Sequence, residues 1–250
     1  MALQEEFELQ GNWLFRYRSI LPVSILCVGT IIYIHTIHTP GKLFINIAPY
    51  WKYYENACLF VSLTGLFIRI ITVGYTPVRT SGRNTRTQVA DNLNRTGIYS
   101  IVRHPLYLGN FLMWLGVSLL TCNLGFIFIF ILAYWLYYER IMYAEEQFLR
   151  AKFGVAYINW AERTPAILPD FRLFVNSPLS FSWKKVLKKE KNGFFALCLI
   201  FMIFDCIKVY LEETSQYNYL LIISGITGGI IYCILKYLKK RTCLLNERGR

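Results

Sequence analysis

Six runs of apolar residues dominate the sequence, at about 20–38, 56–75, 106–120, 125–143, 193–211 and 217–238. A bilayer core about 30 Å thick needs roughly 20 apolar residues as a helix, and most of these runs meet that length. The fold class expected is therefore all-α, a polytopic helical membrane protein with about six transmembrane helices. Its centre is a helical hairpin, because only Thr121-Cys122-Asn123-Leu124 separates the third and fourth runs. Composition points the same way: 55% hydrophobic and only 17% charged residues, with a mean hydropathy of +0.36, exclude a disordered or collagen-like chain and argue against an ordinary soluble enzyme. Seven cysteines lie mostly inside the apolar runs without CxxC spacing, so they read as buried small hydrophobes and imply no disulfide and no metal.

The net charge of +12 would suggest nucleic acid in a soluble protein. Here the placement of the charges favours lipid headgroups and no nucleic-acid partner. Along the connections, Lys and Arg number two in 1–19, two in 39–55, five in 76–105 and none in 121–124. The count then rises to nine in 144–192, falls to none in 212–216 and returns to five in 239–250. By the positive-inside rule, both large basic loops and both termini are expected in the cytoplasm, at the inner membrane if the source is bacterial. Residues 1–19 carry Glu5, Glu6 and Glu8 and do not read as a signal peptide. The organisation expected is an N-terminal pair of spans in 1–75, a catalytic core in 76–170, a basic linker in 171–192 and a C-terminal hairpin with a basic tail in 193–250. In the fifth run Asp205 is expected to pair with Lys208 on the same helix face. Ser224, Gly225, Gly228 and Gly229 suit close helix packing in the sixth.

Two stretches carry chemistry, one at each base of the central hairpin. The first includes Leu93, Tyr99 and the run Arg103-His104-Pro105-Leu106-Tyr107-Leu108-Gly109. Pro105 opens a helix, since its missing N–H would be unpaired there anyway, and the free N–H groups of that end suit an anion. Tyr99 and Tyr107 offer faces to a cation, and Gly109 admits a second backbone or a ligand. The second stretch runs from Glu139-Arg140 to Glu145-Glu146 and continues to Arg163-Thr-Pro-Ala-Ile-Leu-Pro169. The tight turn makes the two helices antiparallel, so Glu145 is expected near Pro105. A helix end, tyrosines and an acidic pair would then converge on a pocket for a ligand bearing a carboxylate, a cationic centre and a diol.

These elements, R-H-P-x-Y-x-G, E-E and R-x-P-x-x-x-P, resemble the isoprenylcysteine carboxyl methyltransferase and phospholipid methyltransferase family over about 80–169. The resemblance implies an integral membrane enzyme that uses S-adenosylmethionine. It implies cofactor contacts at Leu93, Tyr99, His104, Pro105, Tyr107 and Glu145, supported by Gly109 and Glu146, with Arg103, His104 and Arg140 as catalytic candidates. Where the family places a substrate-contacting arginine, this chain has Ile141, with Arg140 one residue away.

The acceptor follows from what could activate it. An amine must first lose a proton, whereas a phosphate or carboxylate is already anionic, and His104 is the only histidine near the stretch. Arg79, Arg83, Arg86 and Arg95 precede it; they either orient an anionic headgroup, Arg83 and Arg86 being the substrate candidates, or serve only as positive-inside charge. The expected partner is thus a membrane lipid or lipidated substrate, with O-methylation of an anionic headgroup as the leading reading; the family resemblance, which takes in bacterial enzymes that methylate a lipid A phosphate, implies that group as the specific case. A prenylcysteine carboxyl methyltransferase, a phospholipid N-methyltransferase and a non-enzymatic transporter or scaffold are the alternatives. The oligomeric state stays open.

Overall fold

The computed structural model describes residues 2–39, 50–77 and 88–247. Among them are eight α-helices: α1 (Leu3–Arg16), α2 (Ile20–His38), α3 (Trp51–Tyr75), α4 (Pro105–Leu119), α5 (Leu124–Phe153), α6 (Val155–Ala161), α7 (Trp183–Leu211) and α8 (Tyr219–Arg241). Five of them, α2, α3, α5, α7 and α8, are long and apolar enough to cross a membrane. The sixth expected span is α4, whose 15 residues reach about 22 Å at 1.5 Å per residue. It is short of a full crossing and lies against α3 along its length.

That contact depends on small residues. A Cβ on Gly109 would stand 2.8 Å from the Gly65 carbonyl oxygen and 2.7 Å from Arg69 Cγ, and one on Gly116 would strike Ser62 of α3. The α3 and α4 backbones therefore approach closely, as small-residue interfaces allow in lipid. The small residues of α8 do the same against α7, where Gly225 faces Met202 and Gly228 faces Cys198.

Two apolar cores result. Phe15, Tyr107, Phe130, Tyr134, Tyr138 and Ile141 join α1, α4 and α5, while Tyr33, Leu59, Val117, Leu197, Phe201 and Leu221 join α2, α3, α4, α7 and α8. At one end of the bundle Lys208 of α7 meets Asp205 at 3.0 Å, the pairing expected from sequence. It also meets Glu55 of α3 at 2.6 Å, and Asn218 donates to both carboxylates, through its backbone N–H to Asp205 and its side chain to Glu55. All four side chains are buried, so this is a polar rivet between α3, α7 and the start of α8.

Several boundaries differ from the sequence reading. Helix α5 runs ten residues past Tyr143, and α7 begins at Trp183, so 183–192 of the expected linker is helix. Helix α1 was not anticipated. It is held on α5 where Gly11 touches the Arg140 carbonyl, and where the Tyr137 hydroxyl donates to Leu14 and Tyr17 carbonyls at 3.2 Å. The cysteines are all free, but Cys27, Cys206, Cys233 and Cys243 are exposed and only Cys58, Cys122 and Cys198 are buried. An apolar helix in a bilayer can bury a small hydrophobe in lipid as well as in protein, which is why the apolar runs did not separate the two groups.

Candidate active site

The site is built where the start of α4 meets the end of α5. The turn before α4 is strapped from outside: the backbone N–H groups of Arg103 and His104 donate to the Pro165 and Ala166 carbonyls at 2.9 and 3.2 Å, and Asp170 N–H returns to the Ile101 carbonyl at 3.0 Å. The R-x-P-x-x-x-P stretch thus serves as a brace for the His104-Pro105 corner. Trp160 of α6 adds a bond from its indole N–H to the Tyr99 carbonyl.

Against this corner stands the acidic pair. Glu146 accepts from Arg103 Nη1 at 2.9 Å and from His104 Nε2 at 2.8 Å, so both of its oxygens are engaged. Glu145 accepts from the Tyr107 hydroxyl at 2.7 Å through Oε1, and its Oε2 faces His104 Nδ1 at 3.9 Å. The Tyr107 carbonyl in turn accepts from Tyr134 at 2.7 Å, which fixes the first turn of α4 to the middle of α5. The two glutamates therefore differ in use. Glu146 clasps the two helices together, while Glu145 keeps an oxygen turned into the adjoining space.

That space is a cavity of about 490 Å³ bordered by both cores. Its wall toward the α4–α5 corner includes Leu93, Tyr99, Arg103, His104, Pro105, Tyr107, Tyr138, Glu145 and Glu146, and its far wall is Met113, Val117, Leu197 and Ile200. Outside the membrane-spanning helices, burial raises the Tyr99 hydroxyl well above the usual tyrosine range, with the Glu145 carboxylate adding to the effect. Tyr157 is raised in the same way by burial and then by Glu146. Both rings stay neutral at physiological pH, so they offer faces and hydroxyls and do not act as anionic bases.

The structure thus gathers Leu93, Tyr99, Arg103, His104, Pro105, Tyr107, Glu145 and Glu146 around the cavity; Gly109, Arg140 and the exposed Arg95 are not among its lining. Gly109 turns toward α3, so of the two uses open to it the neighbouring backbone is the one realised. Arg140 points the other way: its guanidinium lies 3.4 Å over the Phe7 ring of α1, and it takes no part in lining the cavity. Ile141 beside it is fully buried in the core. Arg83 and Arg86, with Arg79, fall outside the described residues.

Other lining residues were missed. Arg18 enters from the α1–α2 turn, and Arg69, Asn110 and Glu190 meet across α3, α4 and α7. Arg69 was detectable, being the lone basic residue within the second apolar run, where an ionisable group points to function or a buried partner. Glu190 was hidden among the lysines of a presumed linker.

Comparison with known proteins bears on the family. A model of the phospholipid methyltransferase family matches residues 58–156, from α3 to the first turn of α6. A probable protein-S-isoprenylcysteine O-methyltransferase of Oryza sativa is 33% identical over 140 residues, 52% of this chain and 69% of that protein. The chain belongs to the isoprenylcysteine carboxyl methyltransferase and phospholipid methyltransferase family. Other relatives are similar over less of their length. Protein-S-isoprenylcysteine O-methyltransferase B of Arabidopsis thaliana is 36% identical over 109 residues, covering 40% of this chain. The cobalt-zinc-cadmium resistance protein CzcN of Cupriavidus metallidurans is 34% identical over 118 residues, covering 46% of it. The chain spans about half, 52%, of each of these two relatives. No solved structure matches it. The matched family segment holds every residue of the α4–α5 corner; α7 and α8 lie beyond it.

Proposed function

We propose that this protein is an S-adenosylmethionine-dependent methyltransferase acting on an acceptor held in the membrane. The observation that carries the reading is Glu145: a carboxylate fixed by Tyr107, with its second oxygen turned into a cavity walled by Tyr99, Tyr107 and Tyr138. The donor set fits the cofactor. A carboxylate suits ribose hydroxyls, aromatic faces suit a cationic sulfonium, and Arg18 and Arg103 suit the amino-acid carboxylate. The volume is in the range of small-molecule sites, which run from about 300 to 1,000 Å³. When bound, the cofactor supplies an electrophilic methyl group on a positively charged sulfur.

The protein's own contribution is placement and exclusion of water. The Pro165–Ala166 brace and the Glu146 clasp hold the α4 corner, so Tyr107 and Glu145 meet any ligand in a fixed geometry. In the tautomer with hydrogen on Nε2, His104 donates to Glu146 and keeps Nδ1 toward Glu145, which makes it an orienting group. The apolar wall from Met113 to Ile200 keeps water from the acceptor side and suits a hydrocarbon chain.

Oxygen is the favoured acceptor atom, in an anionic lipid headgroup such as a lipid A phosphate. Four basic side chains, Arg18, Arg69, Arg103 and Lys189, line the cavity against three carboxylates among the described residues, and the cofactor would add further positive charge. An anion needs orientation alone, which this set can give. The prenylcysteine carboxylate is the second reading, and the names of the Arabidopsis and Oryza relatives favour it.

The test has two stages. Calorimetry on detergent-solubilised protein should show binding of S-adenosylmethionine; no binding by the wild type ends the proposal. Mass spectrometry of lipids from deletion and complemented cells fed methyl-labelled methionine should then show a labelled phosphate methyl ester. Label only on ethanolamine nitrogen would instead assign an N-methyltransferase, and label on a prenylated protein the second reading.

A further inference from the structure

Helix α7 lies outside the matched family segment, yet it closes the acceptor side of the cavity. At the junction between the apolar wall and the polar end, Arg69 of α3 donates from Nε and Nη2 to the two oxygens of Glu190 of α7, both at 2.8 Å. It donates from Nη1 to Asn110 Oδ1 of α4 at 2.6 Å. All three residues line the cavity. Glu190 is 6% exposed at its side chain and Arg69 19%, so the carboxylate is the buried member and the guanidinium the accessible one.

A guanidinium has five N–H donors in one plane. These two partners use three of them, on Nε, Nη1 and Nη2, and one N–H on each terminal nitrogen is left. Two helices thus fix the plane of a guanidinium that keeps one N–H on each terminal nitrogen for an oxyanion. A flexible lysine could not be aimed this way. The adjacent wall is apolar on one side, with Met113, Leu197 and Ile200, and cofactor-side aromatic on the other.

We infer that Arg69, held by Glu190 and Asn110, is the headgroup anchor of the acceptor: it receives the anionic oxygens of a lipid whose chain lies along α4 and α7. Glu190 is a positioning residue that acts through Arg69. The C-terminal pair of helices is then a specificity element, since it brings the carboxylate that aims the fork. The inference rests on the acceptor entering from the bilayer, as in the function proposed above.

The full-length protein in detergent is offered an equal mixture of dioleoyl phosphatidic acid and dioleoyl phosphatidylcholine, and native mass spectrometry reads the bound ratio. The wild type should prefer the phosphatidate. Arg69→Lys keeps the charge and loses the fork, and Glu190→Gln releases its aim, so each should reduce the preference about tenfold, the scale of a charge-assisted hydrogen bond. Gly193→Phe is a third arm that changes neither Arg69 nor Glu190. A Cβ there would make only ordinary contacts, at 3.7 Å from both Glu190 Oε2 and Met113 Cε, and Gly193 lines the cavity, so the added ring is expected to take up cavity space. It should reduce retention of both lipids while leaving their ratio alone.

N-acetyl-S-farnesylcysteine in place of the phosphatidate distinguishes a carboxylate from a phosphate source, and a preference for it that falls in Arg69→Lys also supports the anchor. A wild-type ratio equal to that of Arg69→Lys overturns the inference, as does full retention of both lipids by Gly193→Phe. Calorimetry with S-adenosylmethionine is run on each protein in parallel. Loss of cofactor binding by the wild type would defeat the methyltransferase reading alone, because the lipid ratio still decides the anchor.

Discussion

At the scale of single residues, the two adjacent glutamates divide one task between them. Glu146 spends both oxygens on Arg103 and His104, while Glu145 is held through one oxygen and presents the other. Replacement of Glu145 by Ala should therefore weaken S-adenosylmethionine binding by about 1–3 kcal/mol, the range for a lost buried or charged hydrogen bond. Tyr107→Phe keeps the aromatic face and removes only the bond that orients Glu145, so its loss should be the smaller of the two. Calorimetry on both variants checks the order; unchanged affinity in both would remove these residues from the cofactor site. The arrangement of this corner was legible in sequence because it sits on short, local patterns: a proline that starts a helix, and an acidic pair one hairpin away. Arg140 was not legible, since the direction of its side chain depends on α1, a helix that docks from more than a hundred residues upstream.

At the scale of elements, α1 shows how a short helix becomes part of a membrane site. Its Phe15 joins the core around Tyr138, and the turn that follows it carries Arg18 into the cavity. Close approach of α1 to α5 rests on Gly11, which lies against the Arg140 carbonyl and Ala144 Cβ. Gly11→Leu should force the helices apart at an overpacking cost of about 1–3 kcal/mol. The expected result is a lower thermal midpoint together with weaker cofactor binding, although the substituted residue lies outside the cavity. A lower midpoint with unchanged binding would mean that Arg18 takes no part in holding the cofactor. The spans themselves could be read from apolar length, but their ends could not: α5 and α7 continue as helix well beyond their apolar stretches, where charged residues replace apolar ones without breaking the backbone pattern.

At the scale of the whole molecule, the distribution of basic residues leads us to propose that the end carrying the α4–α5 corner faces the cytoplasm, where the proposed water-soluble cofactor would be available. Single cysteines introduced at 123 and 214, in a protein cleared of its exposed thiols, should react with an impermeant maleimide added from outside. Those at 90 and 180 should react only after the membrane is opened. The reverse pattern would invert the orientation. The long-range contacts were the least legible feature of all. Glu55 and Glu190 lie at the edges of apolar runs, where a carboxylate looks solvated, and only packing shows that both are buried.

The two ion pairs that cross the bundle also bear on how the chain enters the bilayer. Helix α3 carries a carboxylate near one end and a guanidinium near the other, and both find their counter-charges on α7, 121 residues later in one case and 153 in the other. Until α7 emerges from the ribosome, α3 holds both charges without these partners; an unpaired charge costs on the order of 2.5–3.5 kcal/mol at mid-membrane and less toward a helix end. The nascent N-terminal half thus has reason to linger at the translocon, beside water and protein, and to move fully into lipid only when the C-terminal hairpin arrives. Completion of both charge pairs thus waits on the synthesis of α7, and a chain ended before it would keep both charges without these partners.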